Sequence, residues 1–402
     1  MDKYPDVSTL TIEDSKSELV VEARLKSGCS KADGHEYKDD VIKLVESVGF
    51  VPNWSSIPVE CPKLSTVVDH LLVGSHSTNA NEKVRAHAGT EVLFYSARES
   101  EALAQEINLD GDRDESTVAS LQWELPNLKF DHLFENLFYE DNIKTELLAF
   151  VSSVVNLSRM GVDTNVIDLN RLILLHGPPG TGKTTLCKGV AQRLSVRLQN
   201  TYKRTIFCEI NSHSLFSKWF SESGKLVQKL FEQIADLASD PDWLVIVLVD
   251  EVESLVMGRN ASASEPTDAV RAVNAVLTQI DQIRTFPNVF VMTTSNITGA
   301  LDSAFLDRTD LARYVGNPTA AATIKILQRA IVEFSRLGII IDGMESDVEQ
   351  KLRDLLPANI QVSGRLLKKI PVLTYAQLNK SAVTLDEFVS TLRELIVGMK
   401  NP

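Results

Sequence analysis

Leu172-Ile173-Leu174-Leu175-His176-Gly177-Pro178-Pro179-Gly180-Thr181-Gly182-Lys183-Thr184 is the stretch on which the fold turns. Four apolar residues in succession predict a buried strand, and a helix-like run from Leu186 to Leu194 follows the loop. Strand, glycine-rich turn, lysine and hydroxyl, then helix, is the order of a phosphate-binding loop. Its glycines let backbone N–H groups curl around phosphate oxygens, where a side chain would block approach. Lys183 supplies positive charge to the terminal phosphates, and Thr184 offers a hydroxyl to Mg²⁺. Residues Gly177, Pro178, Pro179, Gly180, Thr181, Gly182, Lys183 and Thr184 are therefore the candidate nucleotide-binding set, and a nucleoside triphosphate is the expected ligand.

Further apolar runs at 205–210, 244–249 and 289–293 alternate with helical patterns. Continuous apolar strands separated by helices predict a parallel sheet covered on both faces. The run at 244–249 ends in Asp250-Glu251. Two acids at the end of a buried strand belong in the crevice where the phosphate loop also opens. Asp250 is expected to hold Mg²⁺ through its water shell, and Glu251 to polarise an attacking water. Thr293-Thr294-Ser295-Asn296 ends the next strand, and an amide there reaches the γ-phosphate or orients the water. Ser-Asn after a strand is by itself only a turn; its order after the two acids carries the reading.

At 402 residues the chain has room for two or three domains, with 44% apolar and 24% charged residues as in ordinary globular proteins. A formal charge of −13 disfavours a general affinity for nucleic acid or anionic membrane and leaves room only for a local basic patch. The strongly apolar stretch 243–249 is too short to span a bilayer, and no apolar segment follows the N-terminus as in a signal peptide. Cys29, Cys61, Cys187 and Cys208 show no CxxC spacing, which favours reduced thiols over disulfides or zinc. His70, His76 and His87 fit no metal-ligand spacing either.

Residues 1–105 mix strand-like alternation at 19–25 and 91–95 with a helical pattern at 40–48, an α+β binding domain in character. The acidic, glycine-containing stretch within 106–120 reads as a linker. The large α/β domain follows at 121–318. Helical patterns at 320–334, 347–356, 364–378 and 385–399 make 319–402 a small helical domain.

Phosphate loop, Asp-Glu strand, strand-end Asn296 and Ser363-Gly364-Arg365 opening a late helix together resemble an AAA+ ATPase. The resemblance implies a three-layer P-loop domain with a parallel sheet and a helical lid that clamp ATP and Mg²⁺ between them. Arg365 takes the place of the lid arginine that contacts phosphates. Arg308, in Phe305-Leu306-Asp307-Arg308-Thr309-Asp310, aligns with the arginine finger that a neighbouring ring subunit contributes to the transition state. A structural role remains the alternative for both. Leu311 stands where many members have a second finger, with Arg313 nearby. Ser217-Lys218-Trp219-Phe220-Ser221 resembles the pore loop of protein-remodelling rings, in which Lys218, Trp219 and Phe220 grip a polypeptide by stacking and apolar contact. The small, polar stretch 258–267 is a candidate second loop on that channel. The family's adenine-pocket signature is represented only by Phe130-Asp131-His132-Leu133 to Tyr139, without its glycine.

The wording of 211–225, Asp250-Glu251-Val252-Glu253-Ser254-Leu255, 273–283 and 293–298 is similar to the pachytene checkpoint protein 2 family within the AAA+ group. That resemblance implies a homo-hexameric ATPase whose substrates are HORMA-domain proteins of the spindle checkpoint and meiotic chromosome axis. They are converted from closed to open and presented to the N-terminal domain, directly or by an adaptor HORMA protein. It also implies a place in nucleus and cytoplasm, at chromosomes and kinetochores. The rival readings are a microtubule-severing or membrane-complex-remodelling AAA+ protein and an ATP-gated DNA-binding switch. The former usually carries a basic linker, and the latter a basic winged-helix domain or channel.

Overall fold

The computed structural model describes residues 19–75, 83–85, 89–107, 117–211, 223–253, 267–296, 303–342, 345–356 and 362–398. They fall into two compact units, Met1–Ala97 and Arg98–Pro402.

In the first unit, β1 (Leu19–Leu25) lies antiparallel to β4 (Val68–Ser75) and parallel to β6 (Glu91–Tyr95). β3 (Ser55–Ile57) completes the sheet in the order β3-β4-β1-β6, and β2 (Phe50–Pro52) pairs separately with β5 (Lys83–Arg85). Ser30 starts α1 (Lys31–Glu36) with a capping box, its hydroxyl accepting from the Asp33 N–H while the Asp33 carboxylate accepts from the Ser30 N–H. Val41 and Val45, one turn apart on α2 (Lys38–Val48), join Val21, Leu71, Val73 and Phe94 in one core. The α+β character read from the sequence holds.

The second unit is built on a seven-stranded sheet in the order β13-β9-β12-β11-β10-β8-β7. β9 (Leu172–His176), β10 (Arg204–Asn211), β11 (Trp243–Asp250), β12 (Val289–Ser295) and β13 (Leu311–Tyr314) run parallel. β8 (Thr117–Leu125) is antiparallel to β10, and β7 (Leu103–Ile107) to β8. The central strands are apolar throughout because both faces are covered. Val245, Val247 and Val249 pack with Leu226, Leu230 and Ile234 of the helix Ser223–Ala238 and with Leu277 and Ile280 of the helix Thr267–Ile283. The alternate residues Ile246 and Leu248 are turned to the other face, where α4 (Lys183–Arg197) lies, with α3 (Ile143–Arg159) packed on α4.

The hairpin corrects the anticipated linker. The compact N-terminal unit ends at Ala97, and residues 103–107 and 117–125 are strands of the large sheet rather than a tether within 106–120. The acidic composition between them masks the strands: β8 pairs with β10, a contact remote in sequence, and β7 pairs in turn with β8.

Helices Ala320–Arg336, Glu345–Leu355, Gly364–Leu378 and Leu385–Gly398 close the chain. Leu327, Ile331, Leu352, Leu367, Ile370, Phe388 and Leu392 give them a core of their own. Thr319 and Ser363 cap two of them through side-chain oxygens that accept from the N–H groups of Ala322 and Leu366. Among the described residues no helix is long and apolar enough to cross a membrane.

Candidate nucleotide-hydrolysis site

β9 delivers the chain to Gly177, where φ is +146° and an added Cβ would stand 2.2 Å from the Val315 carbonyl oxygen. Only glycine fits, because β13 runs alongside and the Val315 N–H donates to the His176 carbonyl at 2.7 Å. Gly182 is left-handed (φ +95°) and hands the chain to α4, so the loop ends on a helix N-terminus whose first residues, Lys183 to Thr185, line the cavity.

Lys183 is 95% buried, and its Nζ donates to the carbonyls of Gly177 and Pro178 (both 2.8 Å) and to Asn296 Oδ1 (2.9 Å). Burial pulls its pKa down from the usual lysine value; the charges of Glu253, Asp250 and Glu251 oppose that and Arg365 adds to it. The cation is thus held on weak, replaceable acceptors within a field of carboxylates.

β11 ends at Asp250, whose Oδ1 accepts from the Thr184 hydroxyl at 2.7 Å and also from the Thr294 hydroxyl. Glu251 turns the chain with φ +55° and donates its N–H to Thr294 Oγ1 at 3.0 Å. Asn296 stands between the two halves of the site: its Oδ1 meets Lys183, and its Nδ2 donates to Glu251 Oε1 at 3.4 Å. The anticipated Asp250, Glu251 and Asn296 therefore converge on the loop.

The lid reaches the same place. The Arg365 N–H donates to the Gly180 carbonyl at 3.0 Å, and a Cβ on Gly364 would come within 3.2 Å of that oxygen. A cavity of about 710 Å³ opens between the large domain and the lid, the size of a small-molecule site. Its phosphate side carries Lys183, Thr184, Asp250, Glu251, Asn296 and Arg365; its other wall carries Leu137, Tyr139, Ile143, Ala322 and Ile326. That apolar wall suits a planar base. Residues 136–139, the end of the anticipated stretch 130–139, contribute to it, whereas Phe130 at the start of that stretch is buried against Trp123 and Phe207 (ring centroids 5.5 and 5.3 Å).

Mg²⁺ coordinated partly by nucleotide phosphates and water needs only one or two protein oxygens, and Thr184 with Asp250 presents them as hard donors side by side. No cluster of three or more His, Cys, Asp or Glu for a metal held by protein alone occurs among the described residues. Cys187 and Cys208 are buried free thiols; burial pushes Cys208 up to about 12 and Cys187 higher still, so both stay protonated and inert.

Two arginines stand apart from the cavity. Arg308 is bidentate to Asp281, with Nε 3.0 Å from Oδ1 and Nη2 3.0 Å from Oδ2. Arg313 reaches Asp141 (3.2 Å) and Glu146 (3.1 Å). Lys218, Trp219 and Phe220 lie outside the described residues, as do residues 258–266 of the second small, polar stretch. Sequence reasoning passed over Glu253, Thr294 and Asp281. Only Glu253 carried a signal, as a third acid in the turn after β11.

Residues 173–317 match the family model for the ATPase family associated with various cellular activities (AAA). The chain is 44% identical over 325 residues to the Caenorhabditis elegans putative pachytene checkpoint protein 2, covering 76% of each chain. To the Homo sapiens pachytene checkpoint protein 2 homolog it is 44% identical over 314 residues, 71% of this chain and 73% of that one. The solved structure of C. elegans PCH-2 superposes with a TM-score of 0.79 at 34% identity, over 96% of this chain and 100% of that one. The E. coli MS115-1 HORMA:CdnC:Trip13 complex contains a chain of related fold, with a TM-score of 0.55 at 18% identity over 68% of this chain and 94% of that one. A phosphate loop, an Asp-Glu strand end and a helical lid around one cavity, with relatives of this identity and coverage, establish that the chain belongs to the pachytene checkpoint protein 2 family of AAA ATPases.

Proposed function

We propose that the chain hydrolyses ATP in this cavity and uses the energy, as a homo-hexameric ring, to open closed HORMA-domain proteins. The observation that carries the reading is the convergence of Lys183, Asp250, Glu251 and Asn296 on one cavity roofed by Arg365, in a chain of this family. The triphosphate displaces Lys183 from the Gly177 and Pro178 carbonyls and takes its charge instead. Glu251 polarises the attacking water, and Asn296, already bonded to Glu251, keeps that carboxylate and the water in line. Thr184 and Asp250 would hold Mg²⁺, which would supply positive charge against the phosphates. Arg365 binds phosphate from the lid, and Arg308 acts on the nucleotide of the neighbouring subunit.

Lys218, Trp219 and Phe220 grip the substrate in the axial channel, and residues 319–402 move as the lid. The N-terminal unit docks the HORMA protein or its HORMA adaptor, at chromosomes and kinetochores and in the cytoplasm. The E. coli protein of related fold was solved with a HORMA protein, which makes that class the first to test. Family membership leaves the severing and DNA-switch readings without a feature in their favour.

The test is affinity capture with Glu251→Gln in the presence of ATP. Recovery of HORMA-domain proteins, and their loss when ATP is omitted, is the expected result; their reproducible absence contradicts the substrate class.

A further inference from the structure

We propose that Glu253 is a positioning residue for hydrolysis: it holds Asn296, through that residue's backbone, at the point where Lys183 and Glu251 meet. The inference rests on the reading of the cavity as an ATPase centre.

Three hydrogen bonds stitch the turn after β11 onto the end of β12. The Glu251 N–H donates to Thr294 Oγ1 at 3.0 Å, and the Val252 N–H to the Thr294 carbonyl at 2.9 Å. The third runs the other way: the Asn296 N–H donates to Glu253 Oε1 at 2.9 Å. Two of the three are accepted by side chains, Thr294 Oγ1 and Glu253 Oε1, and of these only the Glu253 bond fixes the backbone of Asn296 itself.

Glu253 is 7% exposed, and its Oε2 is buried with no hydrogen-bond partner among the described residues. A carboxylate in such a place is costly unless an opposing charge or bond compensates. Compensation comes from the Asn296 N–H, which donates to its Oε1 at 2.9 Å. Glu253 does not line the cavity, so its influence passes through Asn296.

Asn296 follows the last residue of β12 and has left the sheet's ladder. Its amide nevertheless has to stay in register with two partners at once, Lys183 Nζ at 2.9 Å and Glu251 Oε1 at 3.4 Å. When Lys183 leaves for the phosphates, the Asn296 carbonyl oxygen loses its strongest partner. The backbone bond to Glu253 then becomes the restraint that keeps the amide beside Glu251. A misplacement of about 1 Å at such a centre costs on the order of 100-fold in rate.

The test uses the full chain with ATP and Mg²⁺, comparing Glu253→Ala, Glu253→Gln, Asn296→Ala and the Glu253→Ala/Asn296→Ala double variant for kcat and for the Kd of ATP. Glu253→Ala is expected to lower kcat about tenfold or more with Kd within about threefold, because the lost contact orients the reaction and not the ligand. Glu253→Gln keeps an oxygen acceptor and is expected to restore kcat to within about threefold of wild type. The double variant is expected to be no slower than Asn296→Ala alone, since both changes break one relay. Should Glu253→Ala fail to unfold cooperatively, Glu253→Met, of similar length and without an acceptor, takes its place. Wild-type turnover with an equally fast Glu253→Ala, a Glu253→Gln as slow as Glu253→Ala, or penalties that multiply in the double variant each overturn the role of Glu253. A folded wild-type protein that binds but does not turn over ATP overturns the ATPase reading instead.

Discussion

Arg308 and Asp281 form a two-point ion pair, Nε to Oδ1 at 3.0 Å and Nη2 to Oδ2 at 3.0 Å, with each side chain 31% exposed. A planar guanidinium bound through two nitrogens has its direction set as well as its place. Asp281 therefore aims Arg308, which stands on the helix-and-loop face rather than in its own cavity. Arg308→Ala is expected to reduce kcat by about 10³-fold while sparing ATP binding, the scale of arginine-finger loss. Mixing Arg308→Ala with Glu251→Gln subunits should restore turnover, because each active cavity then meets an intact finger. Failure of the mixture to recover, measured as ATP turnover after subunit exchange, contradicts action in trans.

Asp281→Ala isolates the aiming role. Turnover is expected to fall about tenfold with ATP affinity unchanged, since a part-exposed ion pair contributes only about 1 kcal/mol or less to stability. Thermal unfolding alongside steady-state kinetics checks both halves.

The contact between Gly364 and Gly180 predicts a lid whose closure is strained by a branched side chain at 364. A Cβ at 364 would stand 3.2 Å from the Gly180 oxygen that accepts the Arg365 N–H. Gly364→Val should weaken ATP binding about tenfold or more and leave Tm within about 2 °C, because the strain falls on a hinge contact and not on the lid's core. Equilibrium titration with ATP and a melting curve are the measurements.

Lys144 carries a pH prediction. Burial lowers its pKa to about 7; Glu135 opposes and Lys325 reinforces the shift. Between that value and the ordinary lysine value the unfolded chain binds the extra proton, so this group makes stability rise with pH from about 7 toward 10. Lys144→Met removes the penalty of charging and should raise Tm by about 2–4 °C at pH 6.5, with the gain shrinking by pH 9. Melting curves across that range test it; a gain that grows with pH reverses the sign and rules the account out.

Arg313, bridging Asp141 and Glu146, ties the edge strand β13 to the segment that walls the base side of the cavity. Arg313→Ala is expected to raise the Kd of ATP about three- to tenfold with kcat nearly unchanged, in keeping with two part-exposed ion pairs. Loss of kcat that neighbouring subunits with an intact Arg313 repair would instead make it a second finger.

What the sequence disclosed and what it hid divide along chain distance. The loop Gly177–Thr184 and the pair Asp250-Glu251 were legible because their chemistry and the strands that deliver them are contiguous. Asn296 was legible from its order alone, whereas its tether Glu253 is a relation between two strand ends. Asp281 sits on a helix 27 residues before Arg308, and no periodicity announces the pair. The β7–β8 hairpin was read as a linker because the acidic run between its strands outweighed their alternation, while the pairing that docks it to the sheet is that of β8 with the remote β10. Leu137 and Tyr139 fell within the stretch 130–139 read for the adenine pocket, but they belong to no regular element, and only the fold turns them into the cavity.

The central claim, that hydrolysis at Lys183 and Glu251 drives a pulling ring, is tested most directly by following the closed-to-open conversion of a purified HORMA-domain protein. The assay contains the full chain, ATP, Mg²⁺ and a HORMA adaptor, and compares wild type with Glu251→Gln and Trp219→Ala. The account predicts ATP-dependent conversion by wild type, none by Glu251→Gln, and turnover without conversion by Trp219→Ala. Conversion at the wild-type rate by either variant, or brisk wild-type turnover that leaves the HORMA protein closed, would contradict it.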